Sequence, residues 1–189
     1  MILEEISIVN YKNIEQADLQ FSPNVNCFVG SNGMGKTNVL DTIHYLSFCK
    51  SAGGPSDHLN IRHEADFFMI KGVYRNEAGG TDIVSLAVQR GGRKRLRRND
   101  KDYRRFSEHV GLIPLVMISP SDSALVQGGS EERRKFMDAV ISQYNTAYLE
   151  SLIRYERTLK QRNALLKQEA EPDGGVFEAI EDMMAMDVG

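Results

Sequence analysis

The sequence predicts an α/β fold in which a core with a glycine-rich loop carries an antiparallel β-subdomain and is followed by a helical lobe. Three observations predict it. A glycine-rich loop at 30–37 joins a strand-like segment to a helical one, as in parallel α/β cores. Apolar residues alternate with a period of two between 67 and 98, and helical periodicity replaces this after Pro120. We expect the first lobe to span 1–119 and the second 120–189.

The glycine-rich loop matches the phosphate-loop pattern G-x-x-x-x-G-K-[S/T] at every fixed position. Its glycines let backbone N–H groups turn toward an anion. Lys36 would supply an ammonium for the β- and γ-phosphates, and the Thr37 hydroxyl suits Mg²⁺. The following helix directs its N-terminal dipole at the same phosphates. The pattern therefore predicts a nucleoside triphosphate site formed by Gly30, Ser31, Asn32, Gly33, Met34, Gly35, Lys36 and Thr37.

Short strands and turns fill the rest of the first lobe. The expected strands span 3–9, 17–21, 25–29, 68–74, 83–88 and 93–98. The segment 25–29 is predicted to be buried because it leads into the loop, and a helix should run from Lys36 to about Phe48. Gly-Gly pairs separate the later strands and are typical of hairpin turns. We assign the apolar run 112–118 to the same antiparallel β-subdomain.

The second lobe is predicted to be helical throughout. The expected helices span 131–143, 146–168 and 176–186, with a turn-forming Glu-Pro-Asp-Gly-Gly at 171–175. Leu152, Leu159 and Leu166 stand seven residues apart, which indicates either a coiled-coil-like seam or a core face. About three heptads is short for a coiled coil, so core packing is favoured.

Basic residues are concentrated in one segment of the first lobe. Residues 90–105 hold nine Lys and Arg side chains against Asp100 and Asp102. On a strand, alternate positions such as Arg93, Arg95 and Arg97 share one face and could contact a phosphate backbone. The alternative, a solvated edge strand protected by charge, fits equally well. The candidate DNA contacts are Arg93, Lys94, Arg95, Arg97, Arg98 and Lys101.

The charge distribution supports an anionic partner more than the net charge of −3 suggests. Residues 169–189 contain seven acids and no Lys or Arg, so residues 1–168 carry 23 basic side chains against 19 acidic ones. Such asymmetry matters for partners more than the total charge. The first 168 residues are therefore net basic.

Several other classes of protein are disfavoured. No apolar run approaches the roughly 20 residues of a membrane span. Cys27 and Cys49 form no disulfide or metal pattern, which favours a reducing cytoplasm, and the four histidines lack zinc-ligand spacing. We expect a cytoplasmic protein with no membrane association.

To hydrolyse ATP, a phosphate-loop ATPase needs a second apolar strand that ends in an acidic pair such as Asp-Glu. The run 112–118 is the only comparable segment after the loop, and it ends in Ser-Pro-Ser-Asp. Either the protein only binds nucleotide or the C-terminal part of an ATPase is missing, and we favour the second. We expect this chain to bind ATP without hydrolysing it.

Longer motifs point to one family. Glu-Arg-Arg at 132–134 and Leu-Lys-Gln-Arg-Asn-Ala-Leu-Leu-Lys at 159–167 are more specific than the phosphate loop. With these motifs the chain resembles RecF, a bacterial family of recombination and replication-repair ATPases of the SMC-like ABC class. The stretches that carry the resemblance lie at 9–13, 30–43, 119–122, 129–138 and 155–167. The resemblance implies the N-terminal half of an ABC-type ATPase head, truncated before the C-terminal half.

The resemblance also implies a function. RecF-like proteins would form an ATP-dependent homodimeric clamp on gapped DNA or single-/double-strand junctions. They would act with RecO and RecR partners in recombinase loading, replication restart and the SOS response. Asn38 extends the implied ATP site, Lys12 and Asn13 would lie beside the nucleotide, and 119–122 would sense the γ-phosphate. A full-length protein of this kind would be a weak DNA-dependent ATPase.

Two alternatives remain open from the sequence. The chain could belong to the head of another SMC-like coiled-coil ATPase that tethers DNA. It could also be a stand-alone nucleotide-binding regulatory module. A long heptad repeat downstream would indicate the tether, and a compact helix followed by a signature sequence would indicate RecF.

Overall fold

Two units, Met1–Ile118 and Ser119–Gly189, make up the chain. The computed structural model describes residues 1–53, 56–167 and 174–188. The proposed roles of the two lobes, ATP binding for 1–119 and an incomplete helical lobe for 120–189, stay predictions.

The first unit is built on a six-stranded sheet in which every pair of neighbours is antiparallel. The strands occur in the spatial order β2-β1-β3-β4-β5-β6. Their bounds are β1 Ile2–Tyr11, β2 Ile14–Gln20, β3 Phe67–Arg75, β4 Thr81–Gln89, β5 Arg95–Arg98 and β6 Lys101–Asp102. Five of the six predicted strands are present, and in β3 and β4 every second side chain is buried on one face.

One face of the sheet carries the core of this unit. Alternate residues of the strands are fully buried there, among them Ile6, Ile8, Phe68, Ile70, Leu86 and Leu96. Helix α1, Lys36–Phe48, packs on this face through Tyr45 and Leu46. A Cβ at Gly72 would lie 2.8 Å from Leu46 Cδ1, so glycine permits the close approach of helix and sheet. Each large apolar side chain buried here stabilises the fold by about 1.5–3 kcal/mol.

Two predicted extended segments are not strands. Residues 25–29 and 114–118 are irregular, and Val29 and Ile118 are 94% and 84% exposed. The prediction of a buried strand at 25–29 is therefore wrong for this chain, and Cys27 is exposed too. A β-strand needs a neighbour for its backbone hydrogen bonds. Neither segment has one among the described residues.

The second unit consists of helices. After a 3-10 turn at Pro120–Ser123 come α2 Ala124–Gln127, α3 Ser130–Ser142, α4 Thr146–Leu166 and α5 Gly174–Val188. Asn145 caps α4 by accepting a hydrogen bond from Tyr148 N at 3.0 Å. Arg162 on α4 pairs with Glu181 on α5 at 3.0 Å. The predicted helices are confirmed, although the predicted helix end at 168 and the turn at 171–173 lie outside the described residues.

The leucine stripe of α4 is partly buried. Leu152 and Leu159 are half-buried, whereas Leu166 is 51% exposed. None of the described helices is long and apolar enough to cross a membrane.

Candidate functional site

The glycine-rich loop adopts the backbone geometry that its sequence predicts. Gly33 and Gly35 have φ values of 82° and 90°, in the left-handed region that a Cβ disfavours. Gly35 is the residue immediately before α1, so the loop ends at the helix N-terminus. The free N–H groups of the first helical turn therefore adjoin the loop, as an anion site requires.

Lys36 reaches back into the loop. Its Nζ donates hydrogen bonds to the carbonyl oxygens of Gly30 and Ser31, at 2.7 and 2.8 Å. Thr37 follows in the first turn of α1 with an exposed side chain, and Asn32 and Met34 are also exposed. The ammonium and the hydroxyl thus lie together where the loop meets the helix.

Asn13 braces the loop from the β1–β2 hairpin. Its Nδ2 donates to the Gly33 carbonyl at 2.6 Å, and its Oδ1 accepts from Asn38 Nδ2 at 2.7 Å. A Cβ at Gly35 would lie 3.0 Å from Asn13 Oδ1 and 3.3 Å from Ile14 Cγ1. Both polar ends of the Asn13 amide are therefore used to hold the loop and the start of α1.

Asp41 is the centre of a second set of contacts behind the loop. Its Oδ2 accepts hydrogen bonds from Tyr11 Oη at 2.7 Å, Lys12 Nζ at 2.5 Å and Ser51 Oγ at 2.8 Å. Its Oδ1 accepts from the backbone N–H of Ala52 at 2.7 Å. One buried carboxylate on α1 thus holds the β1–β2 hairpin and the loop after the helix.

These contacts shift the acid–base behaviour of the cluster. Burial alone would raise the pKa of Asp41, but the hydrogen bonds from Lys12, Tyr11, Ala52 and Ser51 outweigh it and lower the pKa below 3.8. Burial and then the bond to Asp41 raise the pKa of Tyr11 well above its ordinary value. Asp41 therefore stays ionised and Tyr11 stays a donor at neutral pH.

Sequence reasoning placed Lys12 and Asn13 near the loop but did not assign these partners. Asp41 lies within the stretch 30–43 that carries the resemblance to RecF, but the sequence assigns it no role. The available signal was a single acidic residue on the helix that follows the loop. Its partners lie about 30 and 10 positions away, so only the fold brings them together.

An open cleft lies between β2 and the loop. Asn13, Ile14 and Phe28 line it together with Met34, Lys36 and other residues of the loop and helix. Among the described residues, no cluster of three or more His, Cys, Asp or Glu side chains could hold a metal ion.

The basic residues near β5 divide into two groups. Lys94, Arg97 and Arg98 have internal acidic partners. Lys94 Nζ lies 2.8 Å from Asp57 Oδ2, Arg97 Nε lies 2.8 Å from Asp102 Oδ1, and Arg98 Nε lies 2.8 Å from Asp82 Oδ1. The Arg98 contact lowers the pKa of Asp82 to about 2.

Lys94 also stabilises the end of α1. It donates to the carbonyl of Cys49 at 2.5 Å and lies over the rings of Tyr45 and Phe106 at 5.3 and 5.2 Å. A cation at a helix C-terminus interacts favourably with the helix dipole. This lysine is mostly buried, with 15% of its side chain exposed, and therefore has a structural role.

The second group is exposed. Arg93, Arg95 and Lys101 have exposed side chains, and none of the three forms an ion pair within the described part of the chain. Arg93 precedes β5, so it does not share a strand with Arg95 and Arg97 as the sequence predicted. Arg95 and Arg97 do lie on one face, opposite the buried Leu96.

A family model described as AAA ATPase domain matches residues 1–172. The chain belongs to this family. The match covers the glycine-rich loop, the whole sheet and most of the helical unit of this AAA ATPase domain protein.

The similarity to curated relatives is more specific than the match to the family model. The DNA replication and repair protein RecF of Phocaeicola vulgatus is 57% identical over 185 residues, which cover 98% of this chain and 50% of the relative. RecF of Porphyromonas gingivalis is 47% identical over 189 residues, which cover 100% of this chain and 50% of the relative. The chain thus spans about half the length of the curated relatives it matches. The resemblance to RecF is confirmed.

Solved structures agree with this assignment. The structure of the recombination mediator protein RecF-ATP in the RecFOR pathway superposes with a TM-score of 0.88 at 28% identity, covering 98% of this chain and 50% of that one. A structure from a study of ATP-driven dimerization of SMC ATPases gives 0.62 at 19% identity over 74% of this chain, which supports the fold alone. The predicted fold class of this AAA ATPase domain protein is confirmed.

Proposed function

We propose that this chain is the ATP-binding portion of a RecF-like ATPase that acts in DNA repair and replication. The observation that carries the proposal is the braced phosphate loop, with Lys36 at its centre and α1 starting at its end. The RecF relatives and the RecF-ATP structure support ATP as the triphosphate.

The roles at the ATP site follow from the chemistry of each group. The N–H groups of 33–38 would donate to the phosphates, and Lys36 would exchange the carbonyls of Gly30 and Ser31 for β- and γ-phosphate oxygens. Thr37 would hold Mg²⁺, which neutralises phosphate charge. Lys12 and Asn13 act on the nucleotide by positioning the loop, because both already bind protein groups.

The larger assembly is proposed from the relatives. A second copy would close over each ATP, giving an ATP-dependent homodimer on gapped or junction DNA in the cytoplasm. RecO- and RecR-type partners are supported by the RecFOR pathway named with the solved RecF structure. DNA contacts would come from the exposed basic residues Arg93, Arg95 and Lys101, with Arg97 beside them, whereas Lys94 and Arg98 support the fold.

Lys36→Ala tests the proposal at the ATP site. Loss of the ammonium removes charge-assisted bonds to the phosphates, and we expect affinity for a fluorescent ATP analogue to fall at least about a hundredfold. Lys50→Ala is the matched control because Lys50 is exposed and lies beyond the other end of α1. The thermal unfolding of both variants should resemble that of the wild type. Retained affinity in Lys36→Ala would refute the site.

A further inference from the structure

The sheet has a second face that nothing in the described part of its unit covers. Side chains that alternate with the core residues project there, including Met69 and Val73 on β3 and Ile83 and Ala87 on β4. None of these belongs to the hydrophobic core cluster, and Met69 is 37% exposed. At the strand end, Phe67 is 44% exposed on the same face.

Three cations are arranged across this open face. The register pairs Lys71 with Ser85 and Ser85 with Arg97, so Lys71 and Arg97 lie in one row two strands apart. Two strand spacings correspond to about 10 Å, and Arg95 lies two residues along β5, about 7 Å from Arg97. Lys71 and Arg95 are exposed. The sequence did not single out Lys71.

The acids of this face lie on the strands that flank β3, β4 and β5, with β1 and β2 on one side and β6 on the other. Glu5 and Asp18 are on β1 and β2, and Asp102 is on the edge strand β6, where it pairs with Arg97. Glu4, at the end of β1, contacts Arg75 Nε at 3.3 Å. Strands β3, β4 and β5 contribute no acidic side chain to the open face, so the centre is positively charged and otherwise apolar or neutral.

We propose that this open sheet face, centred on Lys71, Arg95 and Arg97, contacts the phosphate backbone of DNA. The inference rests on the proposed DNA binding and extends it from the β5 hairpin to the middle of the sheet. A DNA strand carries one charge about every 3.4 Å along the helix axis and offers phosphates to cations 7–10 Å apart. Met69, Ser85 and Ala87 lie in the same register rows as these cations and add no charge to the face.

Lys71→Gln is the decisive variant, and Lys50→Gln is its matched control. Both remove one exposed positive charge, but Lys50 follows α1 on the core side of the sheet. Fluorescence anisotropy with labelled 30-mer duplex and single-stranded DNA, over a salt series, measures affinity. We expect Lys71→Gln to weaken binding several-fold and to lower the salt slope by about one, with little change for Lys50→Gln.

Asp102→Asn should change the affinity for DNA in the direction opposite to Lys71→Gln. Its exposed carboxylate contacts Arg97 Nε, and loss of this charge leaves Arg97 available to a phosphate. We expect Asp102→Asn to tighten DNA binding, and the gain should disappear when Arg97→Gln is added. If the affinity gained with Asp102→Asn persists in the double variant with Arg97→Gln, the open face does not bind DNA through Arg97.

The possible failures can be told apart. If the wild-type chain binds neither DNA at low salt, both the proposed DNA binding and this inference are overturned. If the wild type binds but Lys71→Gln and Lys50→Gln behave alike, DNA binding stands and the open face is excluded from it.

Discussion

Asp41 shows how one buried carboxylate can hold together the segments that surround the glycine-rich loop. Its four hydrogen bonds join three segments: the β1–β2 hairpin through Tyr11 and Lys12, helix α1, and the loop at 51–52. Buried charges are tolerated when paired and fully hydrogen-bonded, and removing one partner is destabilising. The residue thus links the fold of the first unit to the position of its loop.

Asp41→Asn should destabilise the chain by about 2 kcal/mol, below the range for fully buried pairs because Lys12 is partly exposed. The pKa of Asp41 is lowered in the folded state, so its contribution exists above the ordinary value of 3.8 and is lost as pH falls below it. Chemical denaturation at pH 7 and pH 3 measures this. The difference between wild type and variant should shrink at pH 3, whereas the exposed Asp66→Asn should change little at either pH.

At the scale of single residues, the backbone geometry could be predicted where a local motif specifies it. Lys36 and the loop glycines follow from eight consecutive residues, and the structure gives them the expected geometry. The structural role of Lys94 was not predictable, because its partners Cys49, Asp57 and Phe106 are distributed along the chain. A run of basic residues looks uniform in sequence until tertiary contacts distinguish its members.

At the scale of elements, the junction between loop and helix depends on Gly35. Its φ of 90° and the nearby Asn13 side chain both oppose a Cβ. Gly35→Ala should cost about 1–2 kcal/mol in backbone strain and displace Asn13, weakening ATP binding at least about tenfold. Titration with a fluorescent ATP analogue measures this.

Gly53→Ala is the control, because a Cβ there meets nothing within 4 Å. It should leave ATP affinity within about twofold of wild type. Equal affinities for Gly35→Ala and Gly53→Ala would mean that the junction does not position the loop.

The elements themselves were predictable to different degrees. In β1, β3 and β4 buried residues alternate with more accessible ones, β1 pairs with β3, and β3 pairs with β4, so local pattern and tertiary pairing agree. The segments 25–29 and 112–118 are equally apolar, yet strand formation depends on neighbours that the pattern cannot supply. The apolar residues of these two segments therefore suggested buried strands, but the described residues provide no neighbouring strand for them to pair with.

At the scale of the whole molecule, charge is distributed unevenly. The net charge of −3 conceals a basic region in the first unit and an acidic segment after 168. In the proposed DNA binding, the electrostatic attraction would come from the basic region and would decrease with salt.

Reversing the charge of Arg93 and Arg95 together should weaken DNA association and lower the salt slope by about two. Arg97 is left intact because its pairing with Asp102 would become a repulsion. Anisotropy over a salt series measures both quantities. An unchanged slope would favour the alternative, in which the basic hairpin only protects a sheet edge.

The glycine-rich loop is proposed to recognise the phosphates of ATP. Titration calorimetry of the wild-type chain with Mg²⁺ and ATP, and then with AMP, tests it most directly. Lys36 and the N–H groups at the start of α1 are positioned for β- and γ-phosphates that AMP lacks. We predict that each chain binds one ATP and that its affinity for AMP is at least about a hundredfold weaker than its affinity for ATP. No binding of ATP, or equal affinity for AMP, would contradict the account.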